Sequence, residues 1–190
     1  MVRREACVMR ERHMRKMLPD WKFETDRLLV RPVEAADAQA LHWIRGQMPY
    51  DPLSRDLSGT RAMIAEMLGR PAASAPGWQQ FVLVLKDGGG IAGDIGVRFD
   101  NPGPRQAEIG FALHPDWRRL GLATEAVGAV VERLFAAGLH RVEALTDARN
   151  LPTQALLKRL RFRQEAHYVQ SWPEGDGWLD EFGYARLATD

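Results

Sequence analysis

Apolar and polar positions recur along this chain with periods that change in a readable order. Arg27-Leu28-Leu29-Val30-Arg31-Pro32 reads as a first strand. From Glu34 to Arg45, Ala38, Leu41 and Ile44 are spaced for one buried helical face. Ser58 to Leu68 reads as a second helix, with Ser58 or Thr60 as N-cap and Gly69 past its end. Met48 to Pro52 and Pro71 to Gly77 are loops. The period then drops to two. Gln80 to Leu85 is nearly continuous in apolar residues, and Asp87-Gly88-Gly89-Gly90 turns a hairpin. Ile91, Gly93, Ile95, Val97 and Phe99 alternate with Ala92, Asp94, Gly96 and Arg98. After a turn at Asn101 to Pro104, Ile109, Phe111 and Leu113 alternate with Glu108, Gly110 and Ala112.

The helical period returns at Thr124 to Ala137. Ala123, Val127, Val130, Val131, Leu134 and Phe135 form one stripe there, and Gly138 stops it. Arg141 to Thr146 is the next strand and Pro152 to Leu160 the next helix. Two closing strands, Phe162 to Ser171 and Asp180 to Leu187, are joined by Pro173 to Gly177. Hairpins followed by a strand–helix–strand crossover predict an α/β fold. Its sheet is mixed, mostly antiparallel, of about six to seven strands flanked by helices. Neither a repeat nor an inter-domain linker interrupts the pattern, so residues 21–190 are expected to form one domain.

Composition narrows the chemistry. The 190 residues are 45% hydrophobic and 27% charged, with a net charge of +1. That is ordinary for a globular protein and points to neither nucleic acid nor membrane. Cys7, the single cysteine, excludes an internal disulfide and a cysteine-built metal site. No His/Asp/Glu spacing supports a metal either, no apolar run reaches the length of a membrane span, and residues 1–20 lack a signal peptide's apolar centre. A cytoplasmic location is expected. Charge is uneven: six of the basic residues lie between Arg3 and Lys16, facing only Glu5 and Glu11, which leaves a body of charge −3. One reading is a basic arm for an anionic partner, even a nucleic acid; the acidic body argues against that. The other, adopted here, is a flexible basic extension over residues 1–20.

The densest chemical signal is Trp117-Arg118-Arg119-Leu120-Gly121-Leu122-Ala123-Thr124-Glu125, between the strand at Ile109 to Leu113 and the long helix. A glycine loop opening a helix after a strand suits a pyrophosphate, because first-turn N–H groups lack partners and the helix dipole is positive there. Gly121 permits close backbone approach, Ala123 adds little bulk, and Arg118 and Arg119 add positive charge. There is no Gly-Lys-Ser/Thr for a nucleoside triphosphate, and no GxGxxG followed by an acidic residue. Arg-x-x-Gly-x-Ala remains.

That loop resembles the acyl-CoA loop of the GCN5-related N-acetyltransferases, the GNAT superfamily, and from about Phe23 to Ala188 the chain is similar to the RimJ/RimL branch. Thr25 to Pro32 followed by Asp37-Ala38 resembles the branch's opening. Ala107 to Pro115 resembles its central strand, Asn150 to Thr153 with Leu160-Arg161-Phe162 its "Asn-x-x-Ser … Leu-Gly-Phe" segment, and Asp180 to Leu187 its closing strand. The resemblance implies an N-acetyltransferase that takes acetyl-CoA as cosubstrate, without a metal, and a primary amine as acceptor, either a protein N-terminus or a small molecule such as a polyamine, an amino acid or an aminoglycoside. It implies a monomer or homodimer. Donor contacts would fall on Phe111, Ala112, Leu113, Arg118, Arg119, Leu120, Gly121, Leu122, Ala123, Thr124 and Asn150. The central strand would splay from its neighbour, turning its N–H groups to the pantetheine and thioester. Two departures stand out. Arg161 replaces the family's usual glycine, which puts the local turn in doubt. Leu157 occupies the place of a general-acid tyrosine, which is normal for this branch.

The catalytic candidates each carry two readings. Glu108 shares a strand face with Gly110 and Ala112, so its carboxylate could deprotonate the amine, directly or through water; it could equally pair across the hairpin with Arg98. An isolated Glu108 favours catalysis. One locked by Arg98 favours a non-catalytic acyl-CoA-binding module. Asp94 is a second candidate base. Small residues at Gly110 and Ala112 make room for a ligand or for a crossing helix. Asn150 either contacts the pantetheine or caps a helix; Thr153, matching the Ser near the sulfur, either donates to the thiolate or is a first-turn residue. His114 reads as structural. Trp43, Tyr50 and Trp78 are candidates to line the acceptor site, as are the acidic Asp51, Asp56, Glu174, Asp176 and Asp180.

Overall fold

Backbone hydrogen bonds tie eight strands into one sheet in the computed structural model, which describes residues 21–48, 56–69, 77–99 and 105–190. They are β1 (Phe23–Glu24), β2 (Leu28–Pro32), β3 (Gly77–Leu85), β4 (Ile91–Phe99), β5 (Gln106–Leu113), β6 (Arg141–Asp147), β7 (Arg163–Glu174) and β8 (Gly177–Leu187). The spatial order is β1-β2-β3-β4-β5-β6-β8-β7. Only β5 and β6 run parallel. The α/β class and the mixed sheet are as expected, with one strand beyond the expected range. The addition is β1, whose two residues are too short to show a period. The expected extension over residues 1–20 lies outside the described residues.

Four helices cover the sheet among the described residues: α1 (Ala38–Gly46), α2 (Leu57–Gly69), α3 (Leu122–Ala136) and α4 (Leu151–Arg159). On one face, α3 and α4 bury Val127, Val130, Val131, Leu134 and Leu157 against Val30, Phe81, Ile95, Val97 and Ile109. The α3 stripe is as read, except that Ala126 and Leu122 are fully in it while Ala123 and Phe135 sit at its edges. On the other face, α1 and α2 close a smaller core of Val33, Ala38, Leu41, Ile64 and Val82. The α2 cap differs from expectation. Ser58 and Thr60 lie inside the helix, and Asp56 accepts the Gly59 N–H at 2.6 Å instead. The helix begins one turn position earlier, and an aspartate just ahead of it reaches the third amide.

Two irregularities shape the sheet. A register shift at Leu83/Val84 pairs Gly93 with Leu83 and Ile91 with Val84, so Ala92 bulges and joins the core in place of Ile91. The closing hairpin is longer than its turn signals implied, because both strands continue past Pro173. β7 is the sheet edge, where proline's missing N–H breaks no inner ladder.

Past α4 the doubtful turn forms in full. Arg161 adopts φ +64°, its N–H donates to Lys158 O at 3.0 Å, and the Phe162 N–H donates to Leu157 O at 2.9 Å. This is a left-handed helix stop with an exposed arginine where glycine is usual. A Cβ there costs about 1–2 kcal/mol. Arg161→Gly is therefore expected to stabilise the fold by about 0.5–1 kcal/mol after the added freedom of the unfolded chain is deducted. Urea unfolding should show a higher midpoint at unchanged slope; a lower midpoint would mean that the arginine side chain contributes more than its backbone costs.

Candidate functional site

β5 and β6 pair for three positions only, Gln106 with Arg141, Ala107 with Val142 and Glu108 with Glu143. Beyond these, β5 keeps its pairing with β4 as far as Leu113, and β6 keeps its pairing with β8 as far as Asp147. The sheet therefore opens at its centre. The His114 N–H donates to Ala92 O at 2.8 Å, so by alternation Ala112 and Gly110 face β4 while the N–H groups of Phe111 and Leu113 point into the opening. Buried N–H groups without partners are costly. Here they line a cleft, and a ligand chain in place of a strand would satisfy them.

The loop after β5 sits at the end of that opening. Pro115–Trp117 makes a 3-10 turn, Arg119 adopts φ +62°, and Gly121 adopts φ +81° as N-cap of α3. Gly121 supplies no side chain to cap the helix, so the N–H groups of Leu122, Ala123 and Thr124 remain directed at the loop. What holds the loop is the far edge of the sheet. Arg27 donates from Nη1 to Leu120 O at 2.8 Å and from Nε to the Glu125 carboxylate at 2.7 Å. Thr25 Oγ1 and the Arg27 N–H donate to the same carboxylate at 2.5 and 2.8 Å. Burial alone would raise the Glu125 pKa. The bonds from Thr25 and Arg27 outweigh it and hold the carboxyl below its ordinary value of 4.5. Arg118 bonds within the protein. It donates to Leu113 O at 3.1 Å and to Gln47 O at 3.3 Å, tying the strand end to the end of α1. Arg119 and Leu120 are exposed at the loop's tip.

A cavity of about 820 Å³ continues from the opening beneath α1 and α2. Glu108, Asn150 and Thr153 all line it. Glu108 meets Arg98 Nη2 at 2.5 Å, directly across the β4–β5 ladder. That is the cross-strand pair read from the alternation. Asn150 is the N-cap of α4; its Oδ1 accepts the Thr153 N–H at 3.2 Å, which leaves the NH2 end of the amide for a ligand. Asp94 is fully buried and bonded by both Arg45 and Gln80, so it reaches the cavity only through them. Among the described residues, no group of three or more His, Cys, Asp or Glu side chains is placed to hold a metal ion. Nor is any helix among them long and apolar enough to cross a membrane.

The acceptor-site candidates divide. Trp78 and Glu174 line the cavity. Trp43 is 44% exposed and stacks on His114 at 4.3 Å, outside the lining. The His114 Nδ1 accepts the Asp116 N–H at 3.2 Å, a structural bond. Asp180 takes His167 and the Gln170 N–H, and Asp176 stands exposed beside the hairpin tip. Tyr50 and Asp51 lie outside the described residues. Sequence reasoning missed Glu181 and Trp172 of the closing hairpin, which line the cavity wall, and it missed Arg149, which bridges Asp147 and Glu174 at 2.8 Å across the mouth. Nothing local marks these residues, since pairing between β6 and β8 brings them in.

Comparison with known proteins supplies a family. The acetyltransferase (GNAT) domain family matches residues 27–163. Over 171 residues, 87% of this chain and 96% of the relative, the sequence is 30% identical to the uncharacterized N-acetyltransferase YnaD of Bacillus subtilis (strain 168). An acetyltransferase (GNAT family) from Bacillus anthracis superposes with a TM-score of 0.78 at 26% identity, covering 90% of this chain and 100% of that one. Mycobacterium smegmatis RimJ in complex with CoA-disulfide does so with a TM-score of 0.75 at 24% identity, covering 90% of each.

The clasp on Glu125 has a consequence for acid stability. A carboxyl held below its ordinary 4.5 contributes stability above that pH, and the contribution is lost as pH falls through the lowered value. Wild type should therefore exceed Glu125→Gln in unfolding free energy at neutral pH, with the gap closing below about pH 4.5. Urea titrations at neutral pH and near pH 4 measure it; a gap of constant size would mean that charge on Glu125 is immaterial to the clasp.

Proposed function

The chain belongs to the GNAT acetyltransferase family and is an N-acetyltransferase; we propose that its donor is acetyl-CoA and its acceptor a primary amine. The observation that carries this reading is the opening between β5 and β6, with the Phe111 and Leu113 N–H groups directed into it and the α3 N-terminus at its end. A pantetheine arm is extended and rich in amides, as the missing strand would be. The bound CoA-disulfide of the RimJ neighbour supports the same choice of donor.

In this reading the pyrophosphate lies against the N–H groups of Leu122, Ala123 and Thr124 at Gly121, with Arg119 and Leu120 at the loop's rim. The Asn150 amide donates to the pantetheine. The amine nitrogen attacks the thioester carbonyl carbon, and the oxyanion that forms accepts hydrogen bonds from the backbone around Phe111 to Leu113, with Ala112 setting that stretch flat on β4. As the C–S bond breaks, the Thr153 hydroxyl donates to the thiolate. The nitrogen's excess proton passes to Glu108, through water. The Arg98 pair is the arrangement that favours the binding-only reading at Glu108; transfer is retained here because the chain is an N-acetyltransferase by family, and the carboxylate's remaining lone pairs can still take the proton through water. Arg118 bonds Leu113 O and Gln47 O, so its expected contact with the phosphate would require the side chain to leave those carbonyls. A cytoplasmic setting belongs to the same reading.

Two measurements test it. Gly121→Glu would place a bulky anion where the pyrophosphate is expected, so calorimetry should record CoA affinity lowered by at least about tenfold; unchanged affinity would remove the loop from donor binding. Glu108→Gln should retain CoA affinity and lower kcat by about 10²–10⁴-fold. Equal kcat/KM for the variant and wild type from about pH 6 to 9 would remove Glu108 from the mechanism and leave water as the base.

A further inference from the structure

Trp78, a candidate to line the acceptor site, has a more specific setting than its place in the chain conveys. On the face of the sheet beneath α1 and α2, Trp78, Arg98 and Glu108 form one register row across β3, β4 and β5. The next row is Gln80, Gly96 and Gly110. The indole leaves its own row and lies over the two glycines. A Cβ at Gly96 would fall 2.8 Å from Cε3 of Trp78 and 3.0 Å from Oε1 of Gln80; one at Gly110 would fall 3.5 Å from Cη2. Any residue but glycine at 96 would lift the ring. One face of the indole is thus seated on backbone, and its six-membered edge ends above Gly110, one residue from Phe111 and the opening. The half-buried remainder lines the cavity.

We propose that Trp78 selects the acceptor, and that the acceptor class is a primary amine with an apolar, planar group within a few bonds of its nitrogen. The inference rests on the reading that the amine reacts at the β5–β6 opening. A nitrogen placed there leaves its substituent over the indole. Met63 and Met67 stand one turn apart on α2 and line the same cavity. An indole and two thioethers give that cavity an apolar, adaptable share of its lining, which suits an aromatic group. Charge argues against a polycation in the same place. The Arg98 guanidinium already lies 5.4 Å from the ring centroid, and a second cation over the ring would meet it. The ammonium itself has Glu108 beside it; the cavity's other carboxylates, Glu66, Asp147, Glu174 and Glu181, stand on α2, β6, β7 and β8, so spermidine is the amine that tests this charge argument.

The test uses the full-length protein and three amines: 2-phenylethylamine, ethylamine and spermidine. Wild type should favour 2-phenylethylamine over both others in kcat/KM by about tenfold or more. Trp78→Ala should collapse that preference, chiefly through KM, and Trp78→Phe should restore most of it. Gly96→Ala, which displaces the ring without removing it, should shift the preference the same way as Trp78→Ala. Calorimetry of 2-phenylethylamine on the CoA-bound protein gives a reading independent of turnover, and CoA affinity and melting temperature show that each variant is folded. Turnover with an unchanged preference in Trp78→Ala, or a wild-type preference for spermidine or ethylamine, overturns the selection and leaves acetyl transfer standing. Trp78-dependent binding without turnover of any amine does the reverse. If Trp78→Ala proves unfolded, the preference measured in Trp78→Phe and Gly96→Ala decides.

Discussion

Parallel pairing between β5 and β6 stops after Glu108 and Glu143, and the rest of the site follows from that break. A central strand in a buried sheet ordinarily satisfies both of its edges. Here β5 is satisfied on the β4 side and open on the other, while β6 turns to β8 for its ladder. The chain is in effect two half-sheets bridged for three residues. An opening of this kind is tolerated where water or a polar ligand meets its N–H groups, since an unmet buried N–H costs about 1–3 kcal/mol. The starts of α3 and α4 follow the two strands that part there, and Asn150 at the start of α4 lines the cavity.

Each half carries arginine tethers of its own. Arg27 reaches from the β1–β2 turn to the Leu120 carbonyl and the Glu125 carboxylate, which fixes a loop that has no side-chain cap of its own. Arg118 fastens the end of β5 to the end of α1. Arg149 joins the β6 end to the closing hairpin through Asp147 and Glu174. In each case the guanidinium bonds an oxygen that its own element leaves unused, which suits a planar group with five donors. Of the two arginines expected on a ligand, Arg118 makes these structural bonds and Arg119 stands exposed at the loop's tip.

Small residues on the cavity face have a similar double use. Gly110 and Ala112 were open to two readings, room for a ligand or room for a crossing helix. At Gly110, and at Gly96 beside it, the occupant is neither: it is the Trp78 indole. Ala112 lies one row further on, opposite the buried Asp94 that Arg45 and Gln80 hold. The cavity floor is thus graded from an aromatic plate to a polar cluster across two strands.

Much of this was legible in order of residues alone. Apolar runs, alternation and turn signals found seven of the eight strands, the 3.6-residue period found α3 and its stripe, and Gly121 between strand and helix marked the loop, because each depends only on neighbours within a few positions. The Arg98–Glu108 pair was legible for the same reason: a hairpin's register follows from its turn and its alternation. Contacts made by distant segments were not. Arg27 on Glu125, Trp78 on Gly96, and Glu181 on the cavity wall join residues whose separation in sequence carries no local signal, and only the strand order of the folded sheet brings them together. Periodicity told which face each residue takes. Tertiary structure decided what stands opposite that face, because packing and hydrogen-bond satisfaction are settled between elements rather than within them.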